Sequence, residues 1–175
     1  MEDLQYPIGR FTFDQEPTPQ KRSAWTRDFE RLPGELRRAV WGLSAEQLDT
    51  PYRSGGWTVR QLVHHLADSH MNGFIRSKLA VTETNPRIKP YNQNDWVATE
   101  DAAGDVEPSL HLIEGLQVRW ARLFSSLADA DFKRTFDHPE SGTQTLDYQL
   151  QHYSWHGRHH VAHIVSLRRR KDWKP

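Results

Sequence analysis

The sequence contains no cysteine, and this absence removes several kinds of site at once. Disulfide bridges, thiolate metal ligands and a cysteine nucleophile are all excluded. Any metal ion bound by this chain must therefore be held by histidine, aspartate or glutamate side chains.

Long apolar runs and a net charge are also missing from the 175 residues. A helix that crosses a bilayer needs about 20 apolar residues, whereas the runs here are far shorter. Its 23 basic residues equal its 23 acidic residues, so no basic field attracts nucleic acid or an anionic membrane. The N-terminal segment lacks the basic and apolar regions of a secretion signal. We therefore expect a cytoplasmic protein with no nucleic-acid or membrane partner.

An alternating strand pattern is almost absent, and the apolar residues indicate helices instead. They recur at three- and four-residue steps in segments 19–43, 57–83, 108–129 and 145–170. The segment "FDHPESGTQTL" before the last helix is interpreted as a loop. These four helices predict an all-α four-helix bundle, and the length suits a single domain spanning 1–175.

Two details of the predicted bundle depend on local chemistry. Pro33 interrupts the first apolar run, so either the helix kinks there or two short helices meet. Ser44 is a plausible N-cap for a short extra helical turn.

Residues 1–18 show little periodicity and are interpreted as an extended arm. Its aromatic residues Tyr6, Phe11 and Phe13 need a surface that buries them, first on their own domain and next on a second copy of the chain.

Histidine is abundant and unevenly distributed. Eight of the ten histidines lie in the runs "VHHLADSH" and "QHYSWHGRHHVAHI". They are His64, His65, His70, His152, His156, His159, His160 and His163. Histidines of this kind act either as metal ligands or as hydrogen-bonded core and surface residues. Two clusters on different helices favour metal, because several buried imidazoles without a shared ligand leave many polar nitrogens to satisfy.

In the last helix, one pair of histidines combines proximity with burial. The predicted buried stripe contains Leu146, Leu150, Tyr153, Gly157, Ile164 and Leu167. His160 falls close to the centre of this stripe and His156 lies one turn earlier, at its edge. His152 and His159 point away from the stripe, and His163 lies at its margin. Since residues i and i+4 are stacked neighbours on a helix, His156 and His160 can converge on one metal ion.

The histidines of the first run are harder to separate by periodicity. His64 and His65 lie at similar angles on the two sides of the apolar stripe, and His70 lies nearest to it. The helical pattern therefore does not choose a third ligand. Asp68 is a candidate hydrogen-bond partner for a ligand imidazole, or an ordinary surface carboxylate.

Several blocks of the sequence resemble the YfiT family, a branch of the DinB/YfiT-like metalloenzymes. They extend from Tyr6 into the last helix and include "YPIGRF", "LDTPYRSGGWTVRQLVHHLADSHMN", "RIKPYNQNDW", "FKRTFDHP" and "WHGRHHVAHI". The resemblance implies a four-helix bundle that holds one divalent metal through His65, His156 and His160. It also implies a homodimer and a metal-dependent hydrolase that acts on a small molecule, with zinc as the first expected metal and nickel as the alternative.

The same ligands suit more than one function. Three neutral histidines with an open fourth position form a catalytic type of zinc site, which lowers the pKa of bound water to about 7. Related proteins in the superfamily are thiol S-transferases that use bacillithiol or a similar low-molecular-weight thiol, and a metal can equally bind a thiolate. A non-catalytic metal-binding module with a role in stress response is a third hypothesis.

Other polar residues do not separate these functions. A zincin would place glutamate directly after the first histidine of the pair, but that position is Gly157. Three carboxylates are candidate acids or bases, with none preferred: Glu114, Asp68 and Asp95. Four cations are candidates for binding the carboxylates of a thiol: Arg53, Arg60, Arg76 and Lys89. Each of these seven is more often a solvated surface charge.

Overall fold

The structure is a computed structural model, and it describes residues 3–174. The helices are α1 (Pro19–Val40), α2 (Ala45–Leu48), α3 (Val59–Thr82), α4 (Gln93–Trp96), α5 (Glu107–Ser125) and α6 (Leu146–Arg170). Turns of 3₁₀ helix occur at Glu100–Ala103 and Asp131–Lys133, and two short strands are β1 (Thr135–His138) and β2 (Gly142–Thr145). The prediction of a four-helix bundle with short extra helical turns is confirmed.

The helices begin where side chains satisfy the free backbone N–H groups of the first turn. The Thr58 hydroxyl accepts from the Gln61 N–H, and the Gln61 side chain accepts in return from the Thr58 N–H, which forms a capping box at the start of α3. Ser44 forms the same motif with Gln47 at the start of α2, as predicted. Thr145 caps α6. Local sequence therefore determines these boundaries to within a residue or two.

Helix α1 continues through Pro33, so the alternative of two separate helices is wrong. Proline lacks the N–H that would bond to the carbonyl one turn earlier, which weakens an isolated helix. Phe29, Leu32 and Leu36 flank this point, and each is at most 3% exposed. We attribute the continuity of α1 to the burial of these side chains on both sides of the proline.

In the bundle α1 lies diagonally opposite α3, and α5 lies diagonally opposite α6. Both α1 and α3 pack mainly against α5 and α6. Arg22 near the start of α1 pairs with Asp147 near the start of α6, while Arg168 near the end of α6 bonds to the Ala39 carbonyl near the end of α1. These two helices therefore run in the same direction. Helix α3 contributes His65 opposite His156 and Gly73 opposite Tyr153, so it runs antiparallel to α6.

Among the described residues, the buried apolar side chains form two clusters. One joins Leu36, Leu62, Leu66, Ile113 and Ile164, among others. The other joins Phe29, Phe74, Trp120, Phe124, Leu150 and Tyr153, among others. Helices α3 and α6 pass from one cluster to the other, and their buried histidines lie at this transition. The predicted stripe of α6 is buried as expected.

The segment "FDHPESGTQTL" forms most of a β-hairpin and not the predicted loop. Strands β1 and β2 pair antiparallel, with Phe136 opposite Gln144. Gly142 has a φ of +78°, a conformation that L side chains rarely adopt, so it pivots the turn. Phe136 is fully buried. The hairpin carries this one large apolar side chain among polar residues, which explains why no alternating pattern revealed it.

The N-terminal arm lies on its own domain, along α6. Asp14 and Gln151 exchange two hydrogen bonds of 2.9 and 3.0 Å, and Trp155 Nε1 donates to the Gly9 carbonyl over 3.2 Å. The Phe11 ring packs edge-on against Tyr148. Of the two expected positions for the arm, the structure shows the first. None of the helices within residues 3–174 combines the length and apolar character that a bilayer span requires.

Candidate metal centre

The three predicted metal ligands come together between α3 and α6. One ring nitrogen each from His65, His156 and His160 lies within 4.8 Å of the other two. The Nε2 atoms of His65 and His156 are 3.2 Å apart. All three side chains are buried. The pair on α6 is brought together by its i, i+4 spacing, whereas His65 reaches it because α3 packs against α6.

The donor set fits a divalent ion of the zinc type. Two nitrogens bound to a tetrahedral zinc at about 2.0–2.1 Å are roughly 3.3–3.4 Å apart. The 3.2 Å between His65 Nε2 and His156 Nε2 is close to that separation. Three imidazoles without a carboxylate or thiolate suit zinc and nickel alike.

The environment keeps these imidazoles neutral, as metal ligation requires. Burial lowers the pKa of His65 to about 4. Burial, and then the neighbouring imidazoles, hold the pKa of His156 and of His160 well below the ordinary histidine value.

A chain of buried polar groups extends behind His156. Its Nδ1 lies 3.3 Å from Nε2 of His70, and His70 Nδ1 lies 2.6 Å from the amide nitrogen of Gln117 on α5. The amide oxygen of Gln117 is buried and has no partner within residues 3–174. Turning the amide over would exchange its nitrogen and oxygen and place this acceptor beside a protonated His70 Nδ1. His70 therefore contacts a predicted ligand from behind and is not itself one of the three clustered histidines.

His64 faces a different helix from His65. Its Nδ1 lies 2.8 Å from the Ser109 hydroxyl on α5. The structure thus separates the three histidines of the first run, which periodicity left unresolved: His65 faces His156 on α6, His70 lies behind His156, and His64 bonds to α5.

The remaining histidines of α6 are covered by the N-terminal arm. The Phe11 ring lies edge-on to His152, with centroids 5.2 Å apart, and the Tyr6 ring lies 5.8 Å from His159. His159 and His163 are buried although they lie off the stripe or at its margin. The only sequence signal for this burial was the aromatic content of the arm. His159, His160 and His163 form a second group whose nitrogens lie within 4.8 Å of one another.

A cavity of about 520 Å³ opens beside the cluster, and His156 and His160 form part of its wall. Other lining residues are Arg76, Tyr91, Tyr148, Gln149 and Tyr153. The Tyr91 hydroxyl is buried near Ser69, and Nδ1 of His152 is buried without a hydrogen-bond partner within residues 3–174. The cavity therefore combines a histidine face with polar groups that a small molecule could satisfy.

The four candidate cations occupy different places. Arg76 lines the large cavity, and Arg53 lines a second cavity of about 240 Å³ beside His160 and His163. Arg60 is paired with Asp49 over 2.6 Å, and Lys89 is exposed. Only Arg76 therefore shares the large cavity with the predicted ligands.

The candidate carboxylates stay outside the histidine groups found in residues 3–174. Glu114 is paired with Arg37, and Asp95 is exposed. Burial, followed by the nearby charge of Asp101, raises the pKa of Asp68 to about 6. The position after His156 is Gly157 and not a zincin-type glutamate, and a Cβ there would lie 2.8 Å from a Leu32 methyl group of α1, so Leu32 would have to shift.

These features define a class: a four-helix bundle with a buried three-histidine cluster beside a cavity. The chain belongs to the DinB superfamily, which matches residues 28–164, and to its YfiT branch, as predicted. It is 52% identical, over 99% of this chain and all of the relative, to a protein of Bacillus mycoides (strain KBAB4) named "Putative metal-dependent hydrolase". A Bacillus cereus (strain ATCC 10987 / NRS 248) protein of the same name is 51% identical with the same coverage.

A solved structure extends the similarity to the whole fold. YfiT from Bacillus subtilis, described as "a probable metal-dependent hydrolase with an unusual four-helix bundle topology", superposes with a TM-score of 0.95 and 45% sequence identity. The match covers 98% of this chain and 99% of the other.

Proposed function

We propose that this chain is a metal-dependent hydrolase of small molecules that holds one divalent ion through His65, His156 and His160. Zinc is the first expected metal and nickel the alternative. The observation that carries the proposal is the convergence of three buried, neutral imidazoles, two of which line a cavity. The names of the relatives support the same function.

In the proposed hydrolase, the residues around the three histidines have different roles. A divalent ion held by three imidazoles supplies Lewis acidity and lowers the pKa of a water molecule at its open position. The Trp57 ring packs 4.5 Å from the His65 ring and shields that ligand. His156 and His160 face the cavity, so substrate approaches from that side. Arg76 and Tyr91 provide polar contacts for it there.

A metal-dependent thiol S-transferase is the second candidate, and Arg76 is the observation that favours it. Within residues 3–174, this guanidinium forms no ion pair with a carboxylate. In the proposed S-transferase it binds a carboxylate of bacillithiol or of a similar thiol, while the same three histidines hold the metal. A non-catalytic metal-binding module with a role in stress response is the third candidate.

A homodimer in the cytoplasm, without nucleic-acid or membrane partners, completes the proposal. The dimer rests on the family resemblance, and the location rests on the composition of the chain.

The test combines elemental analysis with activity screens on untagged protein loaded with zinc or nickel. We expect about one ion per chain and hydrolysis of chromogenic carboxylic or phosphoric esters that chelator abolishes. The His160→Ala variant should lose both. Metal-dependent consumption of a low-molecular-weight thiol without hydrolysis would favour the S-transferase. Stoichiometric metal with neither activity would favour the non-catalytic module.

A further inference from the structure

The second histidine group shares His160 with the candidate metal centre. Nδ1 of His160 lies 3.3 Å from Nδ1 of His163, and Nε2 of His163 lies 3.1 Å from the carbonyl oxygen of Gln5. Gln5 belongs to the N-terminal arm. A continuous path of polar contacts therefore leads from the arm backbone to a predicted ligand.

The carbonyl at the end of this path determines where the protons are. A carbonyl oxygen only accepts, so Nε2 of His163 carries the hydrogen and donates to Gln5. In a neutral His163, Nδ1 then holds a lone pair and accepts from Nδ1–H of His160. Nε2 of His160 is left with the lone pair that a metal ligand needs.

We propose that His163 is a positioning residue, through which the Gln5 carbonyl sets the tautomer and ring orientation of His160. The inference rests on the proposed metal site. Metal-binding histidines usually donate their second N–H to a fixed acceptor, and loss of such a partner typically costs 10–100-fold in metal affinity. Here the acceptor is another histidine, held in turn by the arm.

The same geometry argues against a second metal ion at His159, His160 and His163. A neutral His160 that binds the first ion through Nε2 carries its hydrogen on Nδ1. Nδ1 then has no lone pair with which to bind a second ion. His163 also keeps its Nε2–H on Gln5, which matches a hydrogen-bond relay.

The arm supplies the acceptor because aromatic contacts hold it in place. Tyr6 follows Gln5 directly and packs on His159, and the Gly9 carbonyl accepts from Trp155 Nε1. The position of the Gln5 carbonyl thus depends on tertiary contacts between the arm and α6.

Three full-length variants test the relay. His163→Leu removes the acceptor, and His163→Asn keeps an oxygen acceptor near the position of Nδ1. His159→Phe is the matched control, because it removes the ring nitrogens of the third histidine of the group but keeps an aromatic ring on which Tyr6 packs, so the arm and the Gln5 carbonyl stay in place. The readouts are zinc affinity by competition with a chromophoric chelator, metal content, and imidazole ¹⁵N shifts of the metal-free protein.

We expect His163→Leu to bind zinc 10–100-fold more weakly, as loss of such a partner typically does. His163→Asn should recover most of the affinity, and His159→Phe should match the unmodified protein. The ¹⁵N shifts should show the hydrogen of His160 on Nδ1. A His163→Leu affinity equal to that of the unmodified protein, or a His160 hydrogen on Nε2, would overturn the relay while leaving the proposed function intact. Two ions per chain, with one lost in both His163→Leu and His159→Phe, would make His163 a ligand instead. Absence of metal from the unmodified protein would refute the metal site itself.

Discussion

Variants of two neighbouring histidines of α3, His64 and His65, distinguish an effect on metal binding from an effect on folding stability. Nε2 of His65 lies 3.2 Å from Nε2 of His156 on α6, while Nδ1 of His64 lies 2.8 Å from the Ser109 hydroxyl on α5. Their exposed fractions are 2% and 6%. His65→Ala and His64→Ala therefore remove the same side chain from similarly buried positions, but only His65 belongs to the candidate metal site.

The expected effect follows from linkage between binding and folding. An ion that binds only the folded protein, at 100 times its dissociation constant, stabilises it by about 2.7 kcal/mol. At roughly 2–4 °C per kcal/mol for a chain of this size, zinc should raise the melting temperature by roughly 5–11 °C. His65→Ala leaves two ligands on one helix and loses the link between α3 and α6, so most of this increase should disappear.

His64→Ala should behave in the opposite way. It leaves the Ser109 hydroxyl without its partner, which costs about 1–3 kcal/mol and lowers the melting temperature without metal. The increase on adding zinc should remain complete. Scanning calorimetry with and without zinc, together with metal analysis, measures both quantities. A full zinc effect in His65→Ala, or an equal loss of it in both variants, would refute the assignment of His65.

Three further predictions concern stability. Gly73→Ala places a Cβ 2.4 Å from the Tyr153 ring, and we expect a net loss of about 1–2 kcal/mol in denaturant melts; unchanged stability would show that the rings move easily. Asp68→Asn should stabilise the protein by about 1 kcal/mol at pH 8, because the folded-state pKa of Asp68 is raised to about 6 and its ionised form costs stability above that pH. The gain should vanish towards pH 4, and a gain that grows on acidification would contradict this sign. Arg168→Ala removes hydrogen bonds of 2.9 and 2.8 Å to two carbonyls at the end of α1, so unfolding should become easier by about 2–3 kcal/mol, against little change for the exposed Lys171→Ala.

The sequence by itself determined the helices and the close approach of His156 and His160, the proposed ligand pair on α6. Apolar spacing and caps such as Ser44 are local signals, so they can be read without knowing which helices pack against each other. The i, i+4 spacing of His156 and His160 is likewise a property of one helix. The sequence did not predict the hairpin, because Phe136 is the one buried apolar side chain of its strands. It left the continuity of α1 open, because the local signal of Pro33 is overridden by the burial of its neighbours.

Only the tertiary structure decided which side chains of different elements meet. Periodicity places His64 and His65 on the two sides of one stripe, but the packing of α3 between α5 and α6 directs one to Ser109 and the other to His156. Periodicity likewise predicted no partner for His163. This side chain is buried because Gln5 and the rest of the arm cover α6. The apolar periodicity of a single helix predicts which of its faces is buried. Which surface packs against that face depends on contacts between residues far apart in the chain.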